Sequence, residues 1–393
     1  MKKQLIAIIL GATTVLWSND GLAYKSVGGK PAGSSGGGNN ATVNAKGANC
    51  APATASITMS FNDVNAFIEQ GGSMFQDRQN SVAAYEVGGD NLFAIYSGAL
   101  WMGGTDVNGQ LKLAALTFRS GNDFWPGPLS AQPGSGDYDP TSPVGSDAIR
   151  DFGEANIDPD QCLFYDKFYT IRKAEVIRYS VWWEACNGSN QDPITCDEAT
   201  VPTNDELTRI YEWPAHGNPD KLQDYWLAPF YDHPESQPGF YDPAGGDTPW
   251  YDDILGRDDI ECGFDRRISL FGDETHWWVF NDKGNIHTET NGEPIGMEIR
   301  AQAFAFATND EVNRMTFYNY EMINRSTQTL FNTYFAQYLD PDVGNYQDDY
   351  VGCDVSRGLG YAYNGDALDE TNGGAQGYGE NPPAIGVDFF EGP

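Results

Sequence analysis

The 393-residue chain carries 56 Asp and Glu against 23 Lys and Arg, a net charge of −33 at pH 7. That field repels nucleic acid and anionic lipid and leaves no basic groove to receive them, so no nucleic-acid partner is expected. Aromatic residues make up 13% of the chain, too many for a disordered acidic polymer and enough for a substantial core.

Lys2 and Lys3 precede an apolar run from Leu5 to Leu16, and Gly21 and Ala23 put small residues three and one positions before a cut after Ala23. This is the pattern of a secretory signal peptide over residues 1–23. The run is shorter than the roughly 20 residues that span a bilayer and no later run reaches that length, so export without membrane insertion is expected. Residues 24–49 are mostly Gly, Ser, Asn, Ala and Lys, which bury no apolar surface and read as a flexible linker. Roughly 340 residues follow, the length of one large domain or two closely packed ones. Residues 50–270 read as a mixed β-rich region with short helices and residues 271–393 as a β-sandwich-like region, packed together as one unit.

A first short helix is expected over Ser60 to Gly72, capped by Ser60 or Asn62, with Val64, Phe67 and Ile68 on one face and Gly71 as its stop. A second is expected from about Arg172 to Glu184 with Thr170 as cap, because Val176, Ile177 and Val181 recur at helical spacing; its aromatic content leaves a strand open. A third is expected from Asp205 to Glu212, ahead of Pro214. Elsewhere Gly and Pro clusters separate the strand-like runs VAAYEV, LFAIYS, LKLAALTF, HWWVF, MEIRAQAFAFA, MTFYNYEMI and TLFNTYFAQYL. The last two are expected to form a long hairpin around the polar turn Asn324 to Gln328, each strand buried on both faces. The expected fold is mainly β with a few short helices: a β-sandwich-like core with long loop insertions.

Six cysteines, none spaced C-x-x-C, favour disulfides over zinc in an exported chain. Cys186 and Cys196 enclose a polar loop and are expected to pair, while Cys50, Cys162, Cys262 and Cys353 permit three pairings.

The exit of the expected hairpin, LDPDVGNYQDDYVGCD from Leu339 to Asp354, holds five carboxylates and no Lys or Arg. Calcium takes six to eight hard oxygens, and alternate Asp residues beside Gly and Asn let a loop curl its carboxylates inward. Asp340, Asp342, Asn345, Asp348, Asp349 and Asp354 are the expected ligands, with Asp366 able to reach in from the next turn; the alternative is a solvated loop without EF-hand spacing. Asp232, Glu235, Asp242 and Asp247 form a second acidic stretch, read as an Asp/Pro turn because His233 and Pro234 break any calcium-loop order.

The Trp182-Trp183 and Trp277-Trp278 pairs, with Trp213, Trp226 and Trp250, offer sugar-stacking surfaces but read first as core. Adjacent Trp residues in one strand point to opposite faces. There is no G-x-S-x-G elbow, H-E-x-x-H helix or P-loop, and His216, His233, His276 and His287 are scattered, so no catalytic residue is named. Paired carboxylates of a glycoside hydrolase leave no sequence signature, and Glu274, Glu289, Glu293 and Glu298 lie near aromatic segments.

The segments GALWMGGTDVNGQLKLAALTF, GNDFWPGPL, WWVFNDKGNIH, GEPIGMEIRAQAFAFATND, INRSTQTL, LDPDVGNYQDDYVGCDVSRGLGYAYNGD and NPPAIGVDFFEGP together resemble the amino-terminal region of large Bacteroidota surface proteins exported by the type IX secretion system. The resemblance covers roughly Phe61 to Pro393 and implies passage through that export machinery to the outer cell surface or the medium. It supplies no catalytic residues. Such relatives end in a sorting domain, whereas this sequence stops at Pro393, which implies a fragment of a longer protein or another route. Their Asp/Asn/Gly loop is also more regular than YDHPESQPGFYDPAGGD, which weighs against a metal there. The expected function is that of a secreted, calcium-stabilised surface module, structural, adhesive or binding a surface glycan or protein ligand. The alternative is an extracellular glycan-active hydrolase.

Overall fold

The computed structural model describes residues 5–13, 47–87, 92–131, 155–224, 226–237, 239–252 and 269–391. Cys262 and most of the expected linker lie outside these residues. Among the described residues seventeen strands build two large sheets. In chain order they are β1 (Leu5–Thr13), β2 (Ser56–Met59), β3 (Val64–Glu69), β4 (Ser73–Met74), β5 (Tyr85–Val87), β6 (Phe93–Ile95), β7 (Ser97–Thr105), β8 (Leu111–Ala114), β9 (Trp125–Pro126), β10 (Tyr169–Arg172), β11 (Glu274–Asn281), β12 (Met297–Ala305), β13 (Met315–Asn324), β14 (Phe331–Asp340), β15 (Asp349–Asp354), β16 (Leu359–Asn364) and β17 (Ala384–Glu391).

The first sheet runs β9-β11-β12-β13-β1-β17-β16-β15, with β10 beside β11; the second runs β8-β7-β4-β3-β5-β6, with β14 along β7 and β2 along β3. One core fills the space between them. Val64, Ile68, Met74, Phe75 and Met102 from the second sheet meet Trp278, Phe280, Ile299, Tyr318 and Ile385 from the first. Phe75 closes the seam, edge-on to Tyr85 at 4.9 Å and to Tyr318 at 5.7 Å. The fold is mainly β and sandwich-like, as expected.

Several expectations fail locally. The segment read as a first helix is β3, in which Val64, Ala66 and Ile68 are buried and Asn65, Phe67 and Glu69 are half-buried. That period of two, with β2 and β5 taking its backbone groups, overrides the helical spacing of Val64, Phe67 and Ile68. The expected hairpin does not form either. β13 pairs with β12 and β1, while β14 crosses to the second sheet and runs antiparallel to β7. Nor is β14 buried on both faces: Phe331 and Tyr334 are exposed on an outer strand. Last, Thr170 does not cap the second helix, since it belongs to β10 and bonds His276 at 2.8 Å.

That helix, α2 (Lys173–Cys186), follows α1 (Pro159–Phe164) and precedes α3 (Pro193–Glu198) and α4 (Asn204–Tyr211). α4 forms where expected, with Thr203 and Glu206 closing a reciprocal capping box. α2 buries Val176, Tyr179 and Trp183, whereas Ile177 and Val181 of the expected stripe are exposed. The helical insertion covers the outer face of the first sheet. Trp277 packs into it while Trp278 faces the sandwich core, so adjacent indoles serve two cores. Disulfides join Cys186 to Cys196, as expected, and Cys50 to Cys162, which settles one of the open pairings. Cys353 is exposed and outside both.

Candidate metal site

The acidic loop leaves β14 at Asp340 and turns back into β15 at Asp349. Two buried backbone-binding side chains set its shape. The Asp369 carboxylate, 1% exposed, accepts the backbone N–H of Asn345 at 3.3 Å and of Tyr378 at 2.6 Å. The buried Asn345 amide donates to the Glu370 carbonyl at 2.9 Å. Between them Gly344 has φ +71°, and a Cβ there would strike the Asp369 carboxylate, so only glycine fits the turn. Asp349 Oδ2 accepts the Val343 N–H at 2.8 Å and pulls the start of the loop onto β15.

This folding gathers carboxylates. Burial pushes Asp349 up to about 6, and repulsion from Asp369, Asp342 and Asp348 adds to it against the Val343 hydrogen bond. Asp342 also rises to about 6, through burial and then Asp340. Burial raises Asp369 too, offset in part by its two backbone donors. Three buried oxygens in this neighbourhood accept no hydrogen bond: Asp348 Oδ1, Asp349 Oδ1 and Asn364 Oδ1. Asn364 is 6% exposed and is the register partner of Asp349 across β15 and β16. Among the described residues no three His, Cys, Asp or Glu side chains stand grouped closely enough to hold a metal ion as they are.

The expected ligand set is therefore partly regrouped. Asp342 and Asp348 lie near enough to Asp349 to repel its charge without closing a ligand shell, and Asp340 at the end of β14 accepts the Tyr338 hydroxyl at 3.3 Å. Asn345 is a structural residue of the loop. Asp354 leaves the set: it lies at the far end of β15, about 16 Å along the strand from Asp349, where it binds Ser356 and Arg357. Asp366 caps its own turn through the Leu368 N–H. Asn364 and Asp369 were not among the expected ligands, because they reach the loop from a later strand and turn.

A second charged cluster lies under the helical insertion. Glu298, fully buried, accepts the Leu129 N–H at 2.9 Å, Arg300 Nε at 2.9 Å and Arg325 Nη2 at 3.1 Å. Asp224 accepts Arg300 at 2.9 Å and Arg325 at 3.0 Å; burial acts against its charge, but the two guanidinium groups hold it down at about 2. Arg300 also reaches Glu321, whose carboxyl burial pushes up. Each of the three carboxylates faces at least one of the two guanidinium groups, so the cluster pins insertion to sheet. Of the carboxylates weighed for hydrolysis, Glu298 belongs to this cluster and Glu274 is bound to Arg172 at 2.7 Å. The second acidic stretch is a turn as expected: Asp247 accepts the backbone N–H groups of His233 at 2.8 Å and Asp242 at 2.7 Å.

No family model matches the chain, and no curated protein or solved structure matches it.

Proposed function

We propose that the chain is a secreted, calcium-stabilised surface module without catalytic chemistry, exported to the outer cell surface or the medium and serving structure, adhesion or ligand binding. The observation that carries this reading is the set of unpartnered buried oxygens on Asp348, Asp349 and Asn364, beside mutually repelling carboxylates. Hard oxygens left without a donor fit a hard cation, and calcium accepts both the carboxylates and the amide oxygen. Asp342, Asp348, Asp349 and Asn364 would hold it, and Asp369 would position the loop. Calcium would supply charge neutralisation, so its effect is on stability. The two disulfides agree with an oxidising compartment. Exposed Tyr350 and Tyr363, stacked with centroids 6.1 Å apart beside Tyr361, offer a flat amphipathic face for a glycan or protein ligand.

Thermal unfolding in calcium and in chelator tests the reading. Calcium at about a hundred times its dissociation constant adds about 2.7 kcal/mol of stability. Asp349→Asn keeps the acceptor for the Val343 N–H and removes one charge, so it should unfold no earlier in chelator yet lose the calcium shift. An unchanged melting temperature for the parent chain at millimolar calcium overturns the metal assignment.

A further inference from the structure

The apolar run near the amino terminus is a strand inside the sandwich. β1 lies between β13 and β17, parallel to both. Its register aligns Ala7 to Thr13 with Met315 to Glu321 on one side, and Leu5 to Leu10 with Ala384 to Phe389 on the other. The neighbouring pairs β12/β13 and β16/β17 are antiparallel, so β1 enters as a parallel wedge in the middle of the first sheet. The segment that forms it is the one whose sequence marks a leader cut after Ala23.

A leader that is cut off cannot remain a covalent part of the sheet. Once β1 departs, β13 and β17 stand about two strand spacings apart, roughly 9.6 Å, too far to bond each other. Two rows of N–H and C=O groups then face an empty channel in the centre of a sheet, and buried groups of this kind need partners. The walls of that channel are apolar on the core side, with Tyr318, Tyr320, Ile385 and Val387 all buried. We propose that the channel between β13 and β17 is a strand-acceptor site: the leader fills it in the precursor, and after its removal an extended aliphatic segment of a partner polypeptide takes its place.

The seated leader defines what fits. LIAIILGAT carries no charge and no proline, and it supplies backbone groups to both neighbours over about seven residues. The incoming strand is therefore uncharged, rich in Ile, Leu and Ala, and parallel to β13 and β17. Edge-to-edge main-chain pairing provides affinity in this mode and the apolar wall provides selection. The inference rests on the reading of residues 1–23 as a cleaved leader and is independent of calcium.

Peptide exchange on the full chain tests it. A protease site is inserted between Ala23 and Tyr24, the purified protein is cut, and a labelled peptide of sequence LIAIILGAT with lysines added at its ends is supplied. The cut leader is expected to stay bound through gel filtration, to be displaced by the labelled peptide at one per chain, and to leave a protein of lower melting temperature when stripped. A control peptide with proline in place of the third isoleucine and second leucine is expected to bind at least tenfold more weakly. Equal uptake of both peptides, or loss of the leader with the melting temperature unchanged, overturns the proposal, as does self-association that excludes the peptide. The intact mass of the exported protein separates the two ideas. A chain that retains residues 1–23 refutes leader removal and with it exchange in the cell, whereas a chain starting at Tyr24 that takes up no peptide refutes the acceptor site alone.

Discussion

At the scale of single residues, Asp349 and Asp224 move in opposite directions and set opposite pH dependences. Asp349 and Asp342 sit at about 6, above the ordinary 3.8, so without calcium they favour the folded state below about pH 3.8 and lose that contribution as pH rises through 6. Asp224, at about 2, contributes above 3.8 and loses its contribution as pH falls toward 2. With two carboxylates losing their contribution above 3.8 and one losing it below, these groups place the stability maximum of the calcium-free protein between about pH 3 and 4, measurable by thermal unfolding in chelator across pH. Under the proposed calcium assignment the ion would have to displace protons from Asp342 and Asp349, so its affinity should fall about tenfold per carboxylate between pH 7 and pH 5, as titration calorimetry would read. The run Asp340 to Asp349 was legible as a candidate site because its charge is contiguous. Asn364 and Asp369 were not, because only the pairing of β15 with β16 and the turn after it carry them to the loop. Asp354 was misassigned for the complementary reason: neighbours in sequence separate quickly once a strand extends them.

Among the elements, α4 could be read because Pro214 marks its end locally, and β11, β12, β13 and β14 because their aromatic and β-branched runs are long. What the runs do not encode is which edges meet. β13 and β14 are joined by a short polar turn yet enter different sheets, since both edges of β13 are occupied by β12 and β1. Arg325 sits in that turn, fully buried, and binds Glu298 and Asp224. The crossover is thus fixed by charge at the point where the chain changes sheet. Glu298→Ala removes one of the two carboxylates that both buried guanidinium groups share, leaving only Asp224 between them, and should cost about 3–5 kcal/mol, measured by denaturant unfolding. A loss under 1 kcal/mol would mean that the cluster is hydrated and does not pin the crossover.

For the whole molecule, composition made the class legible: the aromatic content required a core, and the even cysteine count implied cross-links, of which the structure gives two. Their weights differ with the loop each closes. Cys50 and Cys162 are 112 residues apart and Cys186 and Cys196 only 10. Loop-closure entropy puts the long one at about 4–5 kcal/mol, so a Cys50→Ser, Cys162→Ser double variant should lose more stability than Cys186→Ser, Cys196→Ser. Equal losses in chemical denaturation would show that native-state strain outweighs chain entropy.

The long cross-link also has a mechanical meaning. A load applied between the two ends of the chain reaches Cys50 and passes directly to Cys162, so the stretch between them is bypassed. That bypassed stretch includes every strand of the second sheet except β14. Stretched, it would release about 380 Å of slack, at roughly 3.4 Å per residue. In a pulling experiment the oxidised protein should hold that length in reserve and yield it only after reduction, so half of the sandwich is protected from tension by a single covalent bond.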